Sequence, residues 1–300
     1  MERIVKRRPP DYQYTQAAFS ALRGKYPIAR YTVCGRSLCS RSIYAFILGE
    51  GESPAVYTAG YHGQEWLTTL ALLRFFEELC YALTNGKELA GVPAASALEG
   101  RSAVFLPCVN PDGVEIALHG PRAAGQYQPL VEQAMRGSTE KWNANARGVD
   151  INHNFDAGWE IARRMEREMG ITGPAPRRFG GDHPESEPET IAVTGVCRQT
   201  DARSLLCLHS QGEEIYWQYG VSTPKRSPMM ARILSASSGY RLAQPAAISS
   251  HGGAKDWFIA EMNRPGFTVE IGRGTNPLPI ENFESIYLRI REMLMLFLLM

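Results

Sequence analysis

Tyr61-His62-Gly63-Gln64-Glu65-Trp66 sets an imidazole and a carboxylate three positions apart, directly after the apolar run 55–59. That run reads as a buried strand, and from Glu65 onward Trp66, Leu67, Leu70, Leu72, Leu73 and Phe76 recur with helical spacing. Both side chains therefore fall where a strand ends and a helix begins, the crevice at which open α/β sheets bind ligands. An imidazole and a carboxylate are two of the three protein ligands of a His2Glu zinc set, whose fourth position stays open for water. Such a short pair also arises by chance at a helix N-terminus, where Glu65 would only face the helix dipole. One distant histidine has to complete the set.

Five further histidines are available, at 119, 153, 183, 209 and 251. His119, His183 and His251 have Gly or Pro neighbours and read as loop residues. His209 ends the apolar run 204–208 and is followed at once by polar Ser210-Gln211-Gly212. A histidine at the end of an interior strand lies on the same sheet edge as His62, so His209 is the best completion. The run 266–271 leads in the same way to Glu270 before breaking at Gly272. A carboxylate in that apolar setting needs a cation, for which Arg273 is at hand, or has a raised pKa. Beside a zinc-activated water it is a general base of suitable strength.

These motifs, in this order, resemble the zinc carboxypeptidases of the carboxypeptidase A type (peptidase family M14). The likeness is strongest to the bacterial branch of γ-D-glutamyl-diaminopimelate peptidases. It runs through Gly35-Arg36-Ser37 to Leu48, His62 to Trp66, Val109-Asn110-Pro111-Asp112-Gly113, Asn145 to Trp159, His209-Ser210, and His251 to Arg273. The resemblance implies one Zn2+ held by His62, Glu65 and His209, with Glu270 as the catalytic carboxylate. It implies that Arg147 stabilises the oxyanion, a task suited to a permanently charged guanidinium. It also implies that Asp150 orients the first zinc histidine and that Asn152 contacts a substrate carboxylate.

Three departures bear on the substrate. His153 stands where family carboxypeptidases carry the arginine that clamps a free C-terminus, and a neutral imidazole cannot form that bidentate pair. Ile248 replaces a mobile tyrosine, and Gln64 replaces another arginine. Ordinary C-terminal trimming is thereby disfavoured. Lys255 falls where the family sets side-chain preference, and a lysine there favours a carboxylate; on the residues alone it also reads as the partner of Asp256. Arg273 is a second candidate anion contact. The expected substrate is a murein-derived peptide cut next to diaminopimelate. A carboxypeptidase for acidic residues, a zinc amidase for acylated amino acids and a non-catalytic murein-peptide binder are the rivals.

The bulk properties fit a soluble enzyme. A net charge of +1 gives no reason to invoke nucleic acid or an anionic membrane. No run is long enough to span a bilayer, and residues 1–10 lack the apolar stretch of a secretory signal. The six cysteines form no C-x-x-C pair and read as free thiols of a reducing cytoplasm.

Helices are expected over 14–23, 65–83, 224–238, 254–262 and a closing apolar segment to 300 that either packs on the sheet or self-associates. Ser186 is expected to cap a helix opening at Pro188. Strands are expected over 30–35, 42–48, 55–61, 102–109, 204–208 and 266–271. A flexible link is expected over 91–100, and a partly helical rim over 119–147. The whole chain, 1–300, reads as one α/β domain, a three-layer α/β/α sandwich around a mixed, largely parallel twisted sheet.

Overall fold

The computed structural model describes residues 2–244 and 250–300. Ile248 lies outside the described residues. The strands are β1 (Arg30–Arg36), β2 (Ser42–Gly49), β3 (Ala55–Thr58), β4 (Glu88–Leu89), β5 (Val92–Pro93), β6 (Ser102–Leu106), β7 (Ser204–His209), β8 (Glu214–Tyr216), β9 (Arg241–Ala243) and β10 (Gly266–Glu270). Eight form one sheet in the order β1-β2-β6-β3-β7-β10-β8-β9. Its centre, β6-β3-β7-β10, is parallel, while β1, β2 and β8 join antiparallel.

Side chains alternate across this sheet with the period of two that a pleat imposes. Tyr57, Phe105 and Leu206 face the helices Leu67–Thr84 and Phe283–Leu299, whereas Val56, Val104 and Leu205 face Pro188–Gln199 and Ala254–Met262. The central strands are buried on both faces, which is why they read as continuous apolar runs. Helices on both sides make the three-layer sandwich.

The structure also corrects several sequence expectations. Glu65 sits in a 3-10 turn, Gly63–Glu65, rather than opening the helix. Residues 91–100 are no loose link, since β5 pairs with β4 and the short helix Ala94–Leu98 follows. Ser186 does not cap the helix Pro188–Gln199. Glu187 holds the cap position, and Ser186 Oγ donates to Glu187 Oε1 at 2.7 Å. The closing helix spends its apolar face on the sheet, with Met293, Leu294, Phe297 and Leu298 fully buried. Among the described residues no helix is long and apolar enough to cross a membrane.

Candidate active site

The parallel centre of the sheet sends its strands the same way, so their C-terminal ends share one edge. β3 ends three residues before Tyr61-His62, β7 ends on His209, and β10 ends on Glu270. The turn carrying His62 and Glu65 is pinned to the rim: Gly63 and Gln64 donate their N–H groups to the carbonyls of Asn143 (3.1 Å) and Trp142 (3.0 Å). Gly63 is required there because a Cβ would stand 2.2 Å from the Gly113 carbonyl oxygen.

His62 Nδ1 lies 2.8 Å from Glu65 Oε1, and His209 Nδ1 lies 3.1 Å from Glu65 Oε2. One ligand atom from each of the three residues falls within 4.8 Å of the others. On the far side of the first ring, His62 Nε2 faces Asp150 Oδ1 at 3.0 Å. That contact leaves Nδ1 of a neutral His62 as a lone pair aimed at the cluster, the usual outer-shell arrangement of a metal histidine. Tyr61 stacks on His209 with ring centroids 5.0 Å apart and fixes the second imidazole. Two imidazole nitrogens and a buried carboxylate converging on one point suit a single Zn2+ with an open coordination position.

The electrostatics follow from this crowding. Burial opposes charge on Glu65, but His62 and His209 overcome it and hold the carboxyl down at about 2. Asp150 is likewise held well below the carboxylate range, burial being outweighed by His62. Burial works against a proton on His62 too, yet Glu65 and Asp150 lift it well above its ordinary value, while burial lowers His209. Glu270 moves the other way. Burial first, then the Glu65 charge, raises it well above 4.5. These groups open into a cleft of about 660 Å³.

A family model for zinc carboxypeptidases (peptidase M14) matches residues 15–288. The chain belongs to the M14 zinc carboxypeptidase family. It is 36% identical over 279 residues to gamma-D-glutamyl-L-diamino acid endopeptidase 1 of Lysinibacillus sphaericus, covering 92% of this chain and 69% of that one. It is 35% identical over 266 residues to YqgT, an uncharacterized protein of Bacillus subtilis, covering 87% and 70%. Among solved structures, bovine thrombin-activatable fibrinolysis inhibitor superposes with a TM-score of 0.74 at 17% identity, covering 97% of each chain. That last likeness is one of fold. As a member of this zinc-dependent peptidase family, the chain is a metallopeptidase acting on peptides.

The remaining residues expected at an M14 site divide into two groups. Asn152, His153 and Lys255 line the cleft. Asn152 Oδ1 accepts from the Ala254 N–H at 3.0 Å, and His153 Nδ1 lies 3.1 Å from Glu166 Oε1. Lys255 is buried, donates to the Gln218 carbonyl at 2.7 Å, and pairs with Asp256. Arg147 and Arg273, expected at the oxyanion and at a substrate anion, are not among the cleft-lining residues. Arg147 donates from Nε and Nη2 to Glu187 Oε2 at 3.3 and 3.1 Å, drawn to a buried carboxylate beneath its loop. Arg273 turns out to Glu213, 2.8 Å away, and its side chain is 76% exposed.

Several lining residues went unread in the sequence: Lys141, Asn143, Arg177, Arg178 and Asn276. Adjacent arginines after a Pro-rich turn were a usable signal. Asn276 had none, since its role comes only from pairing with Ser210 at 2.6 and 2.9 Å.

Proposed function

We propose that the chain hydrolyses an amide bond next to a diamino acid in murein peptides, such as γ-D-glutamyl-meso-diaminopimelate. The observation that carries this reading is the convergence of His62, Glu65 and His209 beside Glu270 in a cleft lined at Lys255 and Asp256 by a buried pair of opposite charges. The relative from Lysinibacillus sphaericus, named for a γ-D-glutamyl-L-diamino acid bond, supports it.

His62, Glu65 and His209 would hold the zinc, with Asp150 keeping His62 in register. Zinc, when bound, polarises the scissile carbonyl and acidifies water. Glu270, as the carboxylate, takes a proton from the attacking water as the new C–O bond forms. It returns that proton to the leaving nitrogen as the C–N bond breaks. Asn152 contributes its amide N–H groups to the substrate, its oxygen being engaged by Ala254. Lys255 takes the carboxylate at the far end of diaminopimelate, and Asp256 takes the neighbouring ammonium. His153, held by Glu166, supplies no clamp for an ordinary C-terminus.

The peptidase domain is proposed to span 1–300 and to work in the cytoplasm on recycled wall peptides. The free state of all six cysteines supports that compartment. Mass spectrometry of the products of L-Ala-γ-D-Glu-diaminopimelate, run beside ordinary acidic dipeptides, tests the reading. Cleavage of the γ-glutamyl bond is expected; release of C-terminal acidic residues alone would replace it with a carboxypeptidase.

A further inference from the structure

The cleft carries more cation than the ligand set requires. Lys141, Arg177, Arg178 and Lys255 all line it. Lys255, paired with Asp256, is assigned above to the leaving diamino acid, and Arg177 Nη1 donates to Glu140 Oε2 at 2.9 Å. Among the described residues the Arg178 side chain has neither a hydrogen bond nor an ion pair, its acidic neighbour being Glu140, which it helps Arg177 hold below its ordinary value, while its backbone is held in place.

Arg178 adopts φ 68°, a left-handed conformation that a non-glycine residue keeps only when its surroundings enforce it. Two bonds do so here. The Arg178 N–H donates to Asp150 Oδ2 at 2.8 Å, and the Asp150 N–H donates to the Phe179 carbonyl at 2.8 Å. Two residues earlier, the Pro176 carbonyl accepts from Asn143 and Ala144 at 2.8 and 3.0 Å. The carboxylate that orients His62 thus also fixes the backbone from which this guanidinium enters the cleft.

Position supplies the assignment. Lys255 lies on the helix that packs under β7 and β10, whereas Arg178 is joined through Asp150 to His62 at the end of β3. The two cations reach the cleft from different elements, Lys255 from the helix Ala254–Met262 and Arg178 from the rim loop that meets Asp150. With the leaving diamino acid at Lys255 and Asp256, Arg178 is the cation left for the acyl residue. A γ-linked glutamyl residue keeps a free α-carboxylate on that side of the scissile bond. We infer that Arg178 binds this acyl-side carboxylate and makes the cleft selective for an acyl residue that carries one. Lys141, exposed on the same rim, adds a field of the same sign.

The inference rests on the murein reading, and the experiment separates the two. Two substrates are compared: L-Ala-γ-D-Glu-diaminopimelate, and the same peptide with the glutamyl α-carboxylate converted to a carboxamide. A guanidinium–carboxylate pair predicts that the zinc-loaded wild type prefers the carboxylate by about 30-fold or more in kcat/KM. In R178M that preference falls to near one, and in R178K it is intermediate. R178Q serves if R178M does not fold, with zinc content measured in each. Equal cleavage of both substrates by the wild type, or an undiminished preference in R178M, overturns the role of Arg178 and leaves the murein reading standing. Hydrolysis of neither substrate overturns both.

Discussion

Glu270 and His209 are register partners on the adjacent parallel strands β10 and β7. Residues paired this way in a parallel ladder project from the same edge at a spacing set by the sheet, about 4.8 Å between strands. A proposed metal ligand and the proposed base are therefore held by backbone hydrogen bonds rather than by loop conformation. Sites built on strands keep their geometry better than sites built on loops.

Among the described residues the half-buried Glu270 side chain has neither a hydrogen bond nor an ion pair. Glu270→Gln is expected to lower kcat by about 1,000-fold or more while zinc binding, read by elemental analysis, is retained. Chelation should silence the wild type and be reversed by added zinc. Full turnover in the variant would remove Glu270 from the chemistry.

Arg147 is outside the cleft, engaged with Glu187, whose side chain is almost fully buried. Arg147→Ala should leave kcat within about threefold and lower stability by about 1–2 kcal/mol, because it withdraws a donor from a buried acceptor. Urea denaturation and steady-state kinetics read the two effects. A hundredfold loss of kcat at unchanged stability would return Arg147 to the oxyanion.

Lys255 and Asp256 form a pair whose partner charges lie on consecutive residues of one helix turn. Lys255→Ala should cost about 10- to 100-fold in kcat/KM for diaminopimelate against lysine at the leaving position, since only the former offers the carboxylate. Competition between the two peptides in one tube gives the ratio directly, and an unaltered ratio would defeat the pocket.

Glu189 is a buried carboxyl pushed by burial up to about 8. Its ordinary value is 4.5, so between pH 4.5 and 8 the folded chain binds a proton that the unfolded chain lacks. Stability linked to this group is present below the unfolded value, falls as pH rises through that window, and levels off above it. Glu189→Gln should flatten that slope and, at pH 8.5, exceed the wild type by about 2 kcal/mol in denaturant titrations. A parallel pH profile in the two proteins would place the ionised form in the fold.

His62 and His209 were legible because each closes a short apolar run, and Glu65 because it stands three positions after His62. Such runs are forced by strands buried on both faces, and a polar residue at their end has few places to go. Asp150, four residues before Asn154 in a Gly-bounded segment, was legible only through family likeness. The three-residue strands β8 and β9 were missed because so few residues carry no measurable alternation. The hairpin β4–β5 and its helix were missed because Gly, Ala and Pro in 91–100 give the same composition to a tight turn and to a loose link.

Sequence by itself determined the long strands of the sheet and the two histidines and two glutamates of the centre, and with the family likeness the absence of an arginine at His153. Those depend on local pattern and residue type, which the chain carries wherever it folds. Tertiary structure alone decided which arginine faces the cleft. Arg147 and Arg178 are both loop residues with Gly or Pro within two positions, and nothing local separates them. Buried Glu187 draws the first away, and the Asp150 carboxylate sets the backbone of the second, because a buried charge takes the nearest donors that the fold brings to it.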